Sequence, residues 1–319
     1  MLDRYFGLSA AGTTARTEIV AGVTTFLTMA YIIIVNPSIL EAAGMDRNAV
    51  FVATCLAAAL STAIMGLYAN YPIALAPGMG LNAFFAFGMV KGMGLSWETA
   101  LGAVFCSSVL TVALSVSPAR AWIFDGIPRA LKFGIAGGIG LFLAIIGLKN
   151  AGLVVDHPAT LISLGDLTKP AAILACLGFV GMVALDARKV PGAIIIAILG
   201  TTALGVLFGL TQFQGIASAP PSLAPTFLKL DIWGALEAGV ISTVLVLMFV
   251  DLFDTAGTLV GVTQRAGLMT PDGKLPRLRK ALVADSSASL IGSLLGTSNT
   301  TSYIESAAGV EAGGRTGLT

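Results

Sequence analysis

Residues 70–87 read NYPIALAPGMGLNAFFAF, an apolar stretch in which two prolines bracket a short segment ahead of two glycines and three phenylalanines. Pro72 and Pro77 disfavour a continuous helix, because proline lacks a backbone N–H and clashes with the preceding turn. After Gly78 and Gly80 the pattern is again compatible with a helix. We therefore predict an extended lead followed by a half-helix.

A second stretch, LGTSNTTSYIESAAGV at residues 295–310, has the same design much later in the chain. A polar run with several β-branched residues interrupts an apolar segment, and the helix is expected to resume around Glu305. Irregular backbone at membrane depth is tolerated only where protein or a water-filled cavity surrounds it. Paired broken helices in two halves of a chain indicate a transporter binding site.

The composition is that of a membrane protein. Of 319 residues, 56% are hydrophobic and 11% are charged, whereas about a quarter of the residues in soluble domains are charged. A net charge of +1 gives no electrostatic footprint for nucleic acid. The three cysteines lack the spacing of a zinc site or a disulfide framework, and the N-terminus has no pattern of a removable signal peptide.

Runs without charged residues predict ten membrane spans, because a spanning helix needs about 20 mostly apolar residues. The chain is expected to end soon after the tenth span begins and so to be a fragment. The predicted spans are 19–40, two within 48–90, 99–119, about 129–154, 170–185, 190–210, about 234–261, 281–295 and one from about 300.

The positions of Lys and Arg predict the orientation. With the N-terminus inside, most of the 18 Lys and Arg residues fall in inside segments, as expected for cytoplasmic loops. We therefore expect a multi-pass protein of the cytoplasmic membrane, in contact with the lipid bilayer.

Four carboxylates fall at or near membrane depth: Asp251, Asp254, Asp285 and Glu305. A charge at the bilayer centre costs about 2.5 to 3.5 kcal/mol even on insertion scales, so each indicates a function or a polar partner. Asp251 and Asp254 are three residues apart on one helix face, and one of them is expected to hold a proton. Asp285 is expected to make hydrogen bonds at a helix end or at the interface.

Three motifs carry a resemblance to a known family: APGMGLNAFFAF (76–87), FVDLFDTAGTLVG (249–261) and TSNTTSYIESAAGV (297–310). On these the chain resembles the AzgA-like adenine, guanine and hypoxanthine permeases of the xanthine/uracil permease superfamily. The resemblance implies an all-α polytopic fold with 14 spans in two inverted seven-span repeats, with broken third and tenth helices. It also implies a core domain (1–118 and 233–319), a gate domain (119–232) and a homodimer.

The resemblance also implies a site between the third, eighth and tenth spans. Thr258 takes the place where the uracil branch has a histidine implicated in proton coupling, so any such coupling must rest on carboxylates. The substrate-binding residues are then Glu305, Asp251, Asp254, Asn82, Gly80, Thr258 and Phe84, and the proton-coupling residues are Asp254, Asp251 and Glu305.

The chemistry suits a purine nucleobase, whose edge alternates donors and acceptors. Glu305 and Asp254 would accept bonds from purine N–H groups, Asp251 would orient Asp254 or share its proton, and Phe84 would stack on the ring. The coupling ion is expected to be a proton, and no cofactor is expected. The sequence leaves open which purine is preferred and whether sodium replaces the proton.

The sequence bears on three other functions. A sulfate-type anion transporter of the same architecture would bind its substrate at half-helix N-termini, but the acidic side chains would repel an anion. An intramembrane aspartyl enzyme needs carboxylates from different segments, whereas Asp251 and Asp254 share one helix. A passive channel would show a ring of charges or a polar stripe, and neither is present. The sequence therefore favours a transporter and not an enzyme.

Overall fold

The computed structural model describes residues 2–117, 129–158, 160–188, 190, 192–211, 219–269 and 275–319. The chain divides into two compact units, one formed by Met1–Ile135 with Pro221–Thr319 and the other by Ala136–Pro220. The predicted core (1–118, 233–319) and gate (119–232) remain a hypothesis about how the protein moves.

Within the described residues, five helical segments are long and apolar enough to cross a membrane, which supports the prediction of a multi-pass membrane protein. They are Ala15–Glu41, Arg47–Ala69, Trp97–Val116, Pro170–Ala187 and Gly239–Arg265. The predicted total of ten spans, within a fold of 14, remains a prediction.

The first part of the chain forms the N-terminal half of the larger unit. Its elements are α1 (Leu2–Phe6), α2 (Ala15–Met29), α3 (Ile32–Glu41), α4 (Arg47–Ile64), a π-helical segment (Met65–Ala69), β1 (Leu75–Pro77), α5 (Met79–Ala83), a second π-helical segment (Phe84–Gly92) and α6 (Trp97–Val116).

The remaining elements continue in the same order. They are α7 (Arg129–Asn150), β2 (Val154–His157), β3 (Leu161–Leu164), α8 (Pro170–Ala187), α9 (Ala193–Leu207), α10 (Ile232–Ala235), α11 (Ala238–Arg265), α12 (Leu278–Leu295), β4 (Thr300–Ser302) and α13 (Ser306–Glu311). In the smaller unit α8 packs against α9, and β2 pairs antiparallel with β3.

Short polar side chains fix where several helices begin. Thr14, Asp46 and Ser96 each accept a hydrogen bond from the backbone N–H three residues later, at the starts of α2, α4 and α6. Such capping satisfies donors that the first helical turn leaves unpaired. The helix boundaries therefore follow from local sequence.

The two predicted helix breaks are confirmed. The helical run of α4 ends at Asn70, a left-handed residue with φ of 54° just ahead of Pro72. α12 ends at Gly296, whose φ of 93° is readily adopted only by glycine. After each break the chain forms a three-residue strand, and β1 and β4 pair antiparallel with Leu75 opposite Ser302 and Pro77 opposite Thr300.

The first predicted span has a break that the sequence did not predict. The charge-free run 19–40 predicts one uninterrupted span, but α2 ends at Met29 and α3 begins at Ile32. Ala30 and Tyr31 form a turn between these helices. Counting charge-free residues could not reveal this turn, because neither of its residues is charged.

Candidate functional site

The crossing of β1 and β4 forms the centre of the candidate site. Beyond the strand pairs, the Gly78 N–H donates to the Asn299 carbonyl oxygen at 2.9 Å, and the Tyr303 N–H donates to the Ala74 carbonyl oxygen at 2.9 Å. The Tyr303 hydroxyl also donates to the Pro77 carbonyl oxygen at 2.5 Å. These bonds satisfy backbone groups that the broken helices leave unpaired, as the interior of a membrane requires.

Helix α12 supports this crossing through two polar side chains. Asp285 accepts hydrogen bonds from the Ser302 N–H at 2.9 Å and the Ser302 hydroxyl at 2.7 Å, and from the Thr255 hydroxyl at 2.5 Å. One turn later the Ser289 hydroxyl donates to the Thr300 carbonyl oxygen at 2.9 Å. The expectation that Asp285 makes hydrogen bonds is confirmed, but the expected position at a helix end is wrong, because the residue is buried well inside α12.

Asn82 belongs to a buried network that joins three helices to the segment ahead of β4. Its amide nitrogen donates to the Asn36 side-chain oxygen at 2.5 Å, and its side-chain oxygen accepts from the Ser298 hydroxyl. The Asn36 amide nitrogen donates to the hydroxyls of Thr54 and Thr297, each at 2.8 Å. Asn82 is 0% exposed, so contact with a substrate would require this network to open.

The two aspartates of α11 have different surroundings. Asp251 is buried and lies 3.5 Å from the Ser289 hydroxyl of α12. Asp254 is partly exposed, and its Oδ2 lies 3.9 Å from the position that a Cβ on Gly78 would occupy. Asp285 also belongs to this crossing through its bond from the Ser302 N–H, and Glu305 lies just after β4. The structure therefore brings Asp254 to the β1–β4 crossing together with carboxylates from two other segments.

Glu305 lies at the N-terminal boundary of α13 and is partly exposed. Its Oε1 accepts a hydrogen bond from the Tyr31 hydroxyl at 2.5 Å. Tyr31 occupies the unpredicted turn between α2 and α3. The turn between α2 and α3 thus reaches the carboxylate at the start of α13.

The other predicted site residues flank this centre. Gly80 lies in the first turn of α5 and is partly exposed. Thr258 is buried on α11, one turn after Asp254. Phe84 is partly buried and packs against the apolar cluster that includes Phe85 and Met89. Its proposed stacking on a purine remains a prediction.

Sequence reasoning did not single out Tyr31, Asn36 or Glu18. Asn36 carries a signal that could have been used, since it is an amide inside an apolar run. Glu18 was placed just outside the first span, but α2 begins at Ala15 and Glu18 is 0% exposed. Its Oε2 accepts from the Thr316 N–H at 3.1 Å and from the Thr316 hydroxyl at 2.8 Å.

The apolar helices and the paired breaks between them define a multi-pass membrane protein. A solved structure with a similar fold is the transmembrane domain of the cyanobacterial bicarbonate transporter BicA, with a TM-score of 0.68 and 14% identity, covering 95% of this chain and 78% of that one. At this identity the likeness concerns the fold alone.

Sequence comparison gives the family. Residues 16–319 match the xanthine/uracil model described as "Permease family", and the chain belongs to this family. It is 50% identical to the adenine permease AdeP of Escherichia coli over 100% of this chain and 72% of that protein. It is 45% identical to the guanine/hypoxanthine permease PbuG of Bacillus subtilis over 99% of this chain and 74% of that protein. These relatives confirm the resemblance to AzgA-like permeases.

Proposed function

We propose that the protein is a secondary active transporter that imports purine nucleobases such as hypoxanthine, adenine or guanine by proton symport. The observation that carries the proposal is that Asp254 lies beside Gly78 at the β1–β4 crossing and that Glu305 lies just after β4, in a chain whose relatives are named as purine permeases. Carboxylate oxygens accept hydrogen bonds, and the N–H groups of a purine edge supply them.

The proposed mechanism uses the carboxylates both as ligands and as proton carriers. Glu305 and Asp254 accept bonds from purine N–H groups, and Asp251 orients Asp254 or shares its proton. Protonation removes the charge that would oppose movement of the loaded site through the membrane. An elevator-like shift of the core (1–118, 233–319) against the gate (119–232) then gives alternating access.

The proposal includes the remaining expectations from the resemblance. They are 14 spans in two inverted repeats, a location in the cytoplasmic membrane with the N-terminus inside, and a homodimer. The proton is the coupling ion. Asn82, Gly80, Thr258 and Phe84 complete the proposed binding site.

Uptake of radiolabelled nucleobases tests this function. The complete protein is expressed in cells that lack their own purine permeases, with hypoxanthine, adenine, guanine, uracil and sulfate as substrates. We expect saturable purine uptake that collapses with a protonophore. Asp254→Asn and Glu305→Gln should abolish coupled uptake. Glu311→Gln is the matched control, because this carboxylate pairs with Arg265 on the surface and is 65% exposed.

Two results would contradict the proposal. Sulfate uptake without purine uptake would favour the anion transporter. Full proton-coupled uptake by Asp254→Asn would exclude Asp254 from proton transfer.

A further inference from the structure

The turn between α2 and α3 places one polar side chain against the carboxylate of the tenth-span motif. Tyr31 is 7% exposed, and its hydroxyl donates to Glu305 Oε1 at 2.5 Å. Among the residues that the structure describes, Tyr31 is the only hydrogen-bond donor to this carboxylate. The two residues are 274 positions apart in the chain.

Close packing between α2 and α13 holds this contact in register. A Cβ placed on Gly309 of α13 would lie 2.0 Å from the Thr25 hydroxyl oxygen and 2.7 Å from the Ala21 carbonyl oxygen of α2. Real Cβ atoms do not approach other atoms so closely, so only glycine fits here. The helix that follows Glu305 is therefore fixed against the helix that precedes Tyr31.

A carboxylate with one donor on one oxygen has a restricted orientation. The Tyr31 hydroxyl occupies Oε1, and a charged acceptor makes this a strong hydrogen bond. Oε2 retains its capacity to accept from a ligand. Precise placement of the reacting or binding group depends on such supporting contacts.

We propose that Tyr31 is a positioning residue for Glu305, holding Oε1 so that Oε2 is presented to an N–H group of the purine. This inference rests on the proposed function. It adds the first span to a site that the sequence motifs assign to the third, eighth and tenth spans, and it makes Tyr31 a determinant of substrate selectivity.

Uptake kinetics of Tyr31→Phe test the inference. Because Glu305→Gln is expected to lose coupled uptake, the Glu305→Gln and double variants are compared by the Kd of radiolabelled hypoxanthine for the purified protein, alongside the wild type and Tyr31→Phe. The control is Tyr71→Phe, because the Tyr71 hydroxyl is also buried and donates to a backbone carbonyl oxygen, that of Pro276. We expect Tyr31→Phe to raise KM by about tenfold, the value of one hydrogen bond to a charged group, with Vmax nearly unchanged. Tyr71→Phe should leave KM unchanged.

Methylated purines provide a readout that a purely structural role would not change. Hypoxanthines methylated singly at each ring nitrogen are used as inhibitors of uptake. The wild type should reject the analogue whose methyl group replaces the N–H that Glu305 accepts. Tyr31→Phe should lose this discrimination. In the Glu305→Gln background it should have little further effect on the Kd of hypoxanthine, because the two residues act as a unit.

The outcomes separate this inference from the proposed function. Purine uptake by the wild type with an unchanged KM in Tyr31→Phe, or additive effects on Kd in the double variant, would overturn the role of Tyr31 and leave the function standing. Absence of purine uptake by the wild type would overturn both. If Tyr31→Phe fails to insert into the membrane, Glu305→Asp serves as the second variant. Its side chain is one methylene group shorter, which moves the carboxylate away from an intact Tyr31. Wild-type KM and discrimination in Glu305→Asp would then overturn the inference.

Discussion

Asp285 accepts hydrogen bonds from both the backbone N–H and the hydroxyl of Ser302, at 2.9 and 2.7 Å. A side chain of α12 thus bonds to β4, the strand that follows α12 in the chain. All the atoms involved are buried, so water cannot replace the carboxylate if it is removed.

Replacing Asp285 should therefore lower stability. Asp285→Ala leaves the Ser302 N–H unpaired in the interior, at a cost of about 1–3 kcal/mol, and the melting temperature in detergent should fall by several degrees. Glu311→Ala removes a carboxylate whose ion pair is exposed, and such pairs contribute little. Equal melting of Asp285→Ala and Glu311→Ala would show that Asp285 does not hold β4.

A second prediction concerns the close approach at Gly78. A Cβ there would lie 2.7 Å from Thr301 Cγ2, although the φ of −78° is accessible to alanine. Gly78→Ala should therefore impair uptake and stability through overpacking alone, by about 1–3 kcal/mol.

The matched variants at Gly78 make this cause testable. Thr301→Ser removes the clashing methyl group and should restore Gly78→Ala toward the wild type. Gly137→Ala serves as the control, because a Cβ at this position of α7 has no neighbour within 4 Å. Failure of Thr301→Ser to rescue Gly78→Ala would argue against a steric cause.

A third prediction separates two roles for Asn82. Because Asn82 and Asn36 bond to each other, we expect Asn82→Ala and Asn36→Ala each to lower the melting temperature, and the double variant to lower it by less than the sum of the two single effects. A ligand role alone would raise KM without changing the melting temperature. Melting curves and uptake kinetics on the same variants distinguish the two results.

The sequence predicts the site motifs better than their contacts. Pro72, Pro77 and the polar run at 297–302 predict both helix breaks because proline and short polar residues act locally on the backbone. The roles of Asp285 and Tyr31 depend on pairing between segments that are distant in the chain, such as Leu75 with Ser302. Neither periodicity nor charge counting contains that information.

The fourth prediction concerns Asn299, whose side chain lies in the polar segment just before β4. It is 0% exposed, and within the described residues neither amide atom has a hydrogen-bond partner. Burying such a group costs free energy, so an apolar residue of similar size should stabilise the protein. Asn299→Leu should melt at or above the wild-type temperature.

Uptake by the same variant shows whether transport depends on the buried amide of Asn299, despite the free energy that its burial costs. Residues that lower the stability of a fold are often functional. We therefore expect Asn299→Leu to lose purine uptake while its melting temperature and the amount of protein in the membrane are maintained. Leu252→Met, a conservative change at a buried position of α11, is the control for altered packing. A stabilised Asn299→Leu that transports normally would show that the amide has no part in transport, whereas a destabilised variant would show that Asn299 is satisfied in the working protein.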